Sequence, residues 1–159
     1  MHRRTLLASI AATPLLAACG LPDTGAGTRL VVLRHTERTG ENLNADGIAR
    51  AAALPGALAD ISVDAIFAPD RQRNIDTATP LARARGLTVQ VIPATDIART
   101  MVTGRAGQTL VWVGNKDNLE ALWAEIHAFG APPIQYGELF IVSMNGLRAG
   151  RVEQRRFGA

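Results

Sequence analysis

Apolar residues recur along the chain in short continuous runs, and between the runs they recur at helical spacing. The run that organises the rest is Leu30-Val31-Val32-Leu33, which passes directly into Arg34-His35-Thr36-Glu37. A strand apolar at every position is covered on both faces, which suits the middle of a parallel sheet. Ligands of open α/β sheets sit beyond the carboxyl ends of the strands, so Arg34 and His35 are candidates for chemistry. Val63 to Ala68, Leu87 to Ile92 and Gln108 to Val113 give three further strands, and Thr36 to Asn42 is a polar loop.

Helical patterns fill the intervals. Asn44 is placed to cap a helix carrying Ile48, Ala52 and Leu58 at helical spacing, and Pro55-Gly56 predicts a kink or an early end near Leu54. A second helix starts at Arg71, with a break or restart at Thr79-Pro80 and a stop at Gly86. Thr95 or Asp96 caps a third, which has Ile97 and Met101 on one face. Asp117 opens a fourth, whose stripe of Leu119, Leu122, Trp123 and Ile126 reads as core. Near the end, Asn145-Gly146 joins Leu139 to Ser143 and Arg148 to Gln154 as a hairpin. Strand and helix alternate through four units, which predicts an α/β fold: a three-layer α/β/α sandwich on a mainly parallel sheet.

Composition changes this picture little. A chain of 159 residues with 47% hydrophobic content has the length for one domain and one core. The formal charge of +3 falls to +1 without Arg3 and Arg4, which gives a nucleic-acid partner little support. Lys116 is the sole lysine among 17 basic residues, and arginine binds phosphate and carboxylate through a planar fork that lysine lacks. One cysteine, Cys19, excludes an intramolecular disulfide, and three scattered histidines exclude a multi-histidine metal site. No cofactor is expected. His127, beside Trp123 in the sequence pattern, reads as a helix-surface residue.

The first residues read as an address. A basic start at Arg3 and Arg4, an apolar run from Thr5 to Ala18 and small residues before Cys19 have the layout of a secretory signal, and the run is too short to span a bilayer. Leu16-Ala17-Ala18-Cys19 resembles the lipobox of bacterial lipoproteins. That resemblance implies a signal peptide over 1–18, cleavage before Cys19 and lipid attachment to it, with 19–28 as a tether and 29–159 as the domain. The chain would then be held at a membrane of the bacterial cell envelope, facing the periplasm or the exterior. Arg3-Arg4-Thr5-Leu6-Leu7 also loosely resembles a twin-arginine export signal, so the export route stays open.

Four segments, three of them at strand ends, carry a second resemblance. Arg34-His35-Thr36-Glu37 resembles the Arg-His-x-Glu signature of the histidine phosphatase superfamily, the phosphoglycerate mutase-like group. Asn42 to Ala51 resembles the start of that family's first helix, and Ile66 to Ala78 its Ser-x-x-x-Arg-(Ala/Ser)-x-x-Thr-Ala segment, with Arg73 on the family arginine. Thr109 to Asn115 matches the fourth strand and its Gly-His ending. The resemblance implies a phosphatase in which His35 is the nucleophile and Arg34 and Arg73 are forked donors to the phosphate. The substrate would be a phosphorylated small molecule or phosphoprotein. The types suit the chemistry, because a phosphoryl group in transit spreads negative charge over oxygens that fixed cationic donors stabilise.

The chain departs from the pattern at three places. Asn115 stands where the family has a second histidine, so a neutral amide replaces a charged donor to the phosphate. The family's general acid has no unambiguous match, and Glu37, Glu41 and Asp96 are the candidates. Gly137 in Tyr136-Gly137-Glu138-Leu139-Phe140 replaces an aspartate common in small relatives. Two functions therefore follow from the resemblance: a phosphatase of reduced activity, or a catalytically inactive relative that binds an anionic ligand or a partner protein at the same rim.

Overall fold

The structure, a computed structural model, describes residues 27–158. Cys19, the leader and most of the tether fall outside the described residues. β1 (Arg29–Arg34) lies inside a six-stranded sheet whose other members are β4 (Ala65–Ala68), β5 (Val89–Val91), β6 (Thr109–Gly114), β7 (Glu138–Asn145) and β8 (Arg148–Arg156). Their order is β5-β4-β6-β1-β7-β8. The pairs from β5 through β1 are parallel, and β7 and β8 are antiparallel additions. The Asn145-Gly146 hairpin forms where its sequence predicts it.

Alternation along β1 divides the core between two faces. Leu30 and Val32, with Leu110 and Trp112 of β6, pack against α3 (Ile97–Val102) and α4 (Lys116–Glu125). Val31 and Leu33, with Val111 and Val113, pack against α1 (Ala45–Ala57) and α2 (Gln72–Arg85). This is the expected three-layer α/β/α sandwich. All four residues of the α4 stripe are buried, and His127 lies exposed just past that helix.

Three local expectations fail for physical reasons. α1 does not end at Leu54 but runs through Pro55, because Leu54 and Leu58 on either side are wholly buried. α2 likewise runs unbroken through Pro80, held by buried Ala78, Leu81 and Ala82, while the Thr79 hydroxyl donates to the Ile75 carbonyl at 2.7 Å. Burial of an apolar helix face outweighs the loss of one backbone hydrogen bond. Asp96 occupies the N-cap position of α3 with a left-handed backbone (φ 49°) and makes no capping bond. Neither it nor Thr95 caps that helix. The Glu125 carboxylate does so from α4, accepting from the Ala98 and Arg99 N–H groups at 3.0 Å each. Asn44 does cap α1, accepting from Gly47 N–H at 2.9 Å. The polar loop after β1 also contains a two-rung ribbon of β2 (Arg38–Thr39) and β3 (Asn42–Leu43).

Candidate active site

Adjacent parallel strands bring the chemistry together at one sheet edge. β1 delivers Arg34 and His35, and β6, paired to it through Arg34 and Gly114, delivers Asn115 one residue later. The first turn of α2, after β4, delivers Arg73. His35 N–H donates to the Gly114 carbonyl at 2.9 Å, which fixes the two strand ends against each other. Gly114 has no room for a side chain: a Cβ there would lie 2.5 Å from Asn118 Oδ1 and 2.7 Å from both Leu119 Cδ2 and Trp112 Nε1. Asn118 Oδ1 in turn accepts from Asn115 N–H at 2.8 Å, seating Asn115 at the start of α4.

His35 is 2% exposed. Its Nδ1 lies 2.7 Å from the Thr36 carbonyl. A carbonyl only accepts, so Nδ1 carries the proton and Nε2 keeps its lone pair. The imidazole is lowered from its ordinary 6.5 to about 4, chiefly by burial; the nearby charges of Arg34, Arg73 and Arg38 act in the same sense and the Thr36 bond in the opposite one. The ring is neutral at pH 7. The acceptor that the sequence left unnamed is thus the next residue's backbone.

Thr36 is itself held from two helices. Its hydroxyl donates to the Gly47 carbonyl at 2.8 Å, its N–H donates to Thr77 Oγ1 at 3.1 Å, and the Thr77 hydroxyl donates to the Arg73 carbonyl at 2.7 Å. The histidine tautomer therefore depends on where α1 and α2 begin.

The two arginines have further partners. Arg34 donates from Nη1 to the Ile134 carbonyl at 2.9 Å, and its guanidinium carbon lies 4.3 Å from the centre of the Tyr136 ring. Its Nε is buried without a hydrogen-bond partner. Tyr136 also lies 5.8 Å, centre to centre, from the His35 ring. Arg73 donates from Nε to Asn115 Oδ1 at 3.0 Å and from Nη1 to Glu41 Oε2 at 2.6 Å. With its oxygen turned to Arg73, the Asn115 amide keeps its NH₂ group as a donor.

The three candidate carboxylates separate. Glu37 accepts from Arg50 Nε on both oxygens, at 2.9 and 3.0 Å, and this bonding holds its carboxyl below the ordinary range. A carboxylate so bound has no proton to give near neutrality. Arg50 also donates to the carbonyls of Phe157 and Gly158, tying the C-terminal segment to α1. That explains Gly137: it has φ 77°, and a Cβ there would sit 2.7 Å from Arg50 Nη1 and 2.9 Å from the Phe157 carbonyl oxygen. Position 137 is filled by arginine from elsewhere and leaves no space for an aspartate. Glu41, largely exposed, is paired with Arg73. Asp96 lies at the start of α3, outside the cleft beside Arg73 and Asn115.

That cleft, of about 360 Å³, is lined by Pro69, Arg71, Arg73, Ala94, Asn115, Asp117, Asn118 and Ala121. Among the described residues no cluster of histidine, cysteine, aspartate and glutamate has the makings of a metal site. Sequence reasoning missed Thr77, Arg50, Arg71 and Tyr136. The Thr-Ala pair at Thr77-Ala78 carried a signal for the first of these and the Tyr136-Gly137-Glu138-Leu139-Phe140 run one for the last, while nothing local marked Arg50 and Arg71.

Comparison with known proteins agrees with this architecture. The family model described as histidine phosphatase superfamily (branch 1) matches residues 29–96. The chain has no sequence match among curated proteins. Among solved structures it resembles Bacillus stearothermophilus YhfR, with 17% identity and a TM-score of 0.64, covering 77% of this chain and 94% of that one. It also resembles a mycobacterial glucosyl-3-phosphoglycerate phosphatase bound to inorganic phosphate, with 19% identity, a TM-score of 0.59 and coverage of 82% and 97%. A third is the protein histidine phosphatase SixA complexed with tungstate, with 13% identity, a TM-score of 0.64 and coverage of 80% and 96%. At these identities the likeness establishes the fold, which is phosphoglycerate mutase-like.

Proposed function

We infer that this chain, a member of the histidine phosphatase superfamily by its match over 29–96 and its fold, hydrolyses phosphate monoesters through a phosphohistidine on His35. The observation that carries the reading is the state of His35. A neutral imidazole with Nδ1–H bonded to the Thr36 carbonyl has its Nε2 lone pair available, at a strand end ringed by arginines.

In the proposed reaction Nε2 attacks phosphorus, the ester P–O bond breaks, and the leaving oxygen takes a proton from water in the cleft. Arg34, Arg73 and the Asn115 NH₂ group donate to the phosphoryl oxygens as charge moves across them. The hydroxide left by that proton transfer then attacks the phosphohistidine, the P–N bond breaks, and hydrogen phosphate leaves as the neutral imidazole returns. Asn115 is a neutral donor to the anionic phosphoryl oxygens, where a protonated donor would add a charge–charge attraction, so slow turnover is expected.

The second reading, an inactive relative that binds an anion or a partner protein, is favoured by two observations. Arg73 already holds a carboxylate, that of Glu41, and His35 is almost closed off. Hydrolysis of p-nitrophenyl phosphate separates the two readings. Activity in the unmodified chain that vanishes in His35→Ala supports the phosphatase. Silence in the unmodified chain with activity in Asn115→His identifies a disarmed site.

We further propose that Cys19 carries a lipid anchor that holds the domain at a bacterial envelope membrane, on the strength of the Leu16-Ala17-Ala18-Cys19 motif. No helix among the described residues is long and apolar enough to cross a membrane. A chain with Cys19→Ser that stays in the membrane fraction would overturn the anchor.

A further inference from the structure

The phosphoryl site of the proposed reaction adjoins a cleft whose far residues it does not use. Arg73 and Asn115 form part of the lining of the 360 Å³ cleft, so a phosphate held by them directs its ester group there. That volume falls in the range of small-molecule sites. Pro69, Ala94 and Ala121 make apolar wall, and Arg71 and Asp117 are the charged residues beyond the phosphoryl donors.

Arg71 differs from the other arginines of this rim. Arg34 and Arg73 have the partners described above, and Arg38 donates to the Gly40 carbonyl. The Arg71 side chain is exposed and has no hydrogen-bond or ion-pair partner among the described residues. It occupies the N-cap position of α2, where arginine supplies no capping oxygen, so helix capping does not account for it. A second hollow, of about 390 Å³ and lined by Pro69, Asp70, Arg71, Val91, Ile92, Pro93 and Ala94, shares Pro69, Arg71 and Ala94 with the first. Arg71 thus stands where two hollows with apolar walls meet, two residues from a phosphate clamp.

We propose that Arg71 is a specificity residue, forming with this cleft a subsite for a second anionic group on the leaving part of the substrate. The substrate class is a small phosphomonoester with a compact apolar body and a carboxylate or second phosphate, either of which fits the arginine fork. Asp117 in the first cleft and Asp70 in the second repel an anion placed near them, which confines the second charge to the Arg71 end. The proposal rests on the reading that the phosphoryl group sits at His35.

The test is titration calorimetry of the full chain with benzylphosphonate, 4-carboxybenzylphosphonate and the corresponding 1,4-bisphosphonate, together with hydrolysis assays of the matching aryl phosphates. The unmodified chain binds at least one of the two dianionic probes about tenfold more tightly than benzylphosphonate, since a charge-assisted hydrogen bond is worth at least that factor. Arg71→Gln abolishes the advantage and Asp117→Asn enlarges it. Whichever dianionic probe shows the advantage identifies the second group as carboxylate or phosphate. Equal binding of all three probes, or an advantage that survives Arg71→Gln, overturns the subsite. If the probes bind in the expected pattern while no aryl phosphate is hydrolysed, the phosphatase reading fails and the subsite stands. Hydrolysis without preference fails the subsite alone.

Discussion

Asn115 Oδ1 accepts a 3.0 Å hydrogen bond from Arg73 Nε, and this contact sets the two side chains relative to each other. It fixes the amide with its oxygen toward the arginine and its NH₂ as the remaining donor, the group that the proposed reaction uses. Asn115→Asp would keep the acceptor, remove the donor and add a negative charge. We expect a loss of kcat/KM of at least about 100-fold, the scale of a lost oxyanion donor. Asn115→His should instead raise kcat by restoring a chargeable donor, as steady-state kinetics on the two variants will measure.

Glu41 competes with any anion for Arg73. Because it is 67% exposed, its pairing is weak, on the order of 1 kcal/mol or less. Glu41→Gln should therefore lower KM for p-nitrophenyl phosphate by up to about fivefold, and the difference should shrink at high salt. An unchanged KM at low ionic strength would mean that the pair does not obstruct the site.

Tyr136 holds Arg34 by its ring face. Cation–π contacts contribute about 0.5–2 kcal/mol, so Tyr136→Ala should reduce kcat/KM by about tenfold, whereas Tyr136→Phe should retain most of the activity. Similar losses in both would shift the role to the hydroxyl, which lies 3.4 Å from Arg34 Nη2.

His35 makes stability depend on pH in a defined window. Its imidazole is lowered from 6.5 to about 4 in the fold, so between these values the unfolded chain binds more protons than the native one. Stability from this group is complete above pH 6.5 and falls as the pH drops toward 4, by about 3 kcal/mol. The Glu37 carboxyl, also lowered, adds its own loss only below 4.5. Urea denaturation at pH 7.5 and 4.5 should show a decline in the unmodified chain that is smaller in His35→Asn. The acid limb of kcat/KM should likewise fall near pH 4 rather than 6.5.

Arg50 ties Phe157 and Gly158 to the loop after β1. Its Glu37 pair is mostly shielded, and it also holds the Phe157 and Gly158 carbonyls. Arg50→Met should cost about 2 kcal/mol, between the values for exposed and buried pairs. It should also free the segment after Phe157 for proteolysis, which limited digestion will read.

What the sequence made legible follows from what repeats locally. β1 and β6 were readable because they are apolar on both faces, and Asn44 because capping is decided within three residues. The proline helices were not: Leu54, Leu58 and Leu81 are held by a sheet far away in sequence, and that packing overrides the breaker. Arg34 and His35 were found from the strand-end pattern, and Arg73 and Asn115 through the family resemblance; β1, the first turn of α2 and the end of β6 carry these four residues. The Thr36 carbonyl was out of reach because a backbone group has no signature. Arg50 was missed because its partners lie 13 residues before it and more than 100 after it. Glu37 looked like an acid for the same reason, its arginine being invisible in the local pattern.

The most direct test of the account is to capture the phosphohistidine. The full chain is mixed with phosphorus-32-labelled p-nitrophenyl phosphate, quenched in base and digested for mass spectrometry, beside Asn115→His and His35→Ala. The account predicts one base-stable, acid-labile phosphate on the peptide containing His35, more of it in Asn115→His and none in His35→Ala. Hydrolysis that proceeds with label on another residue, or undiminished in His35→Ala, would contradict it.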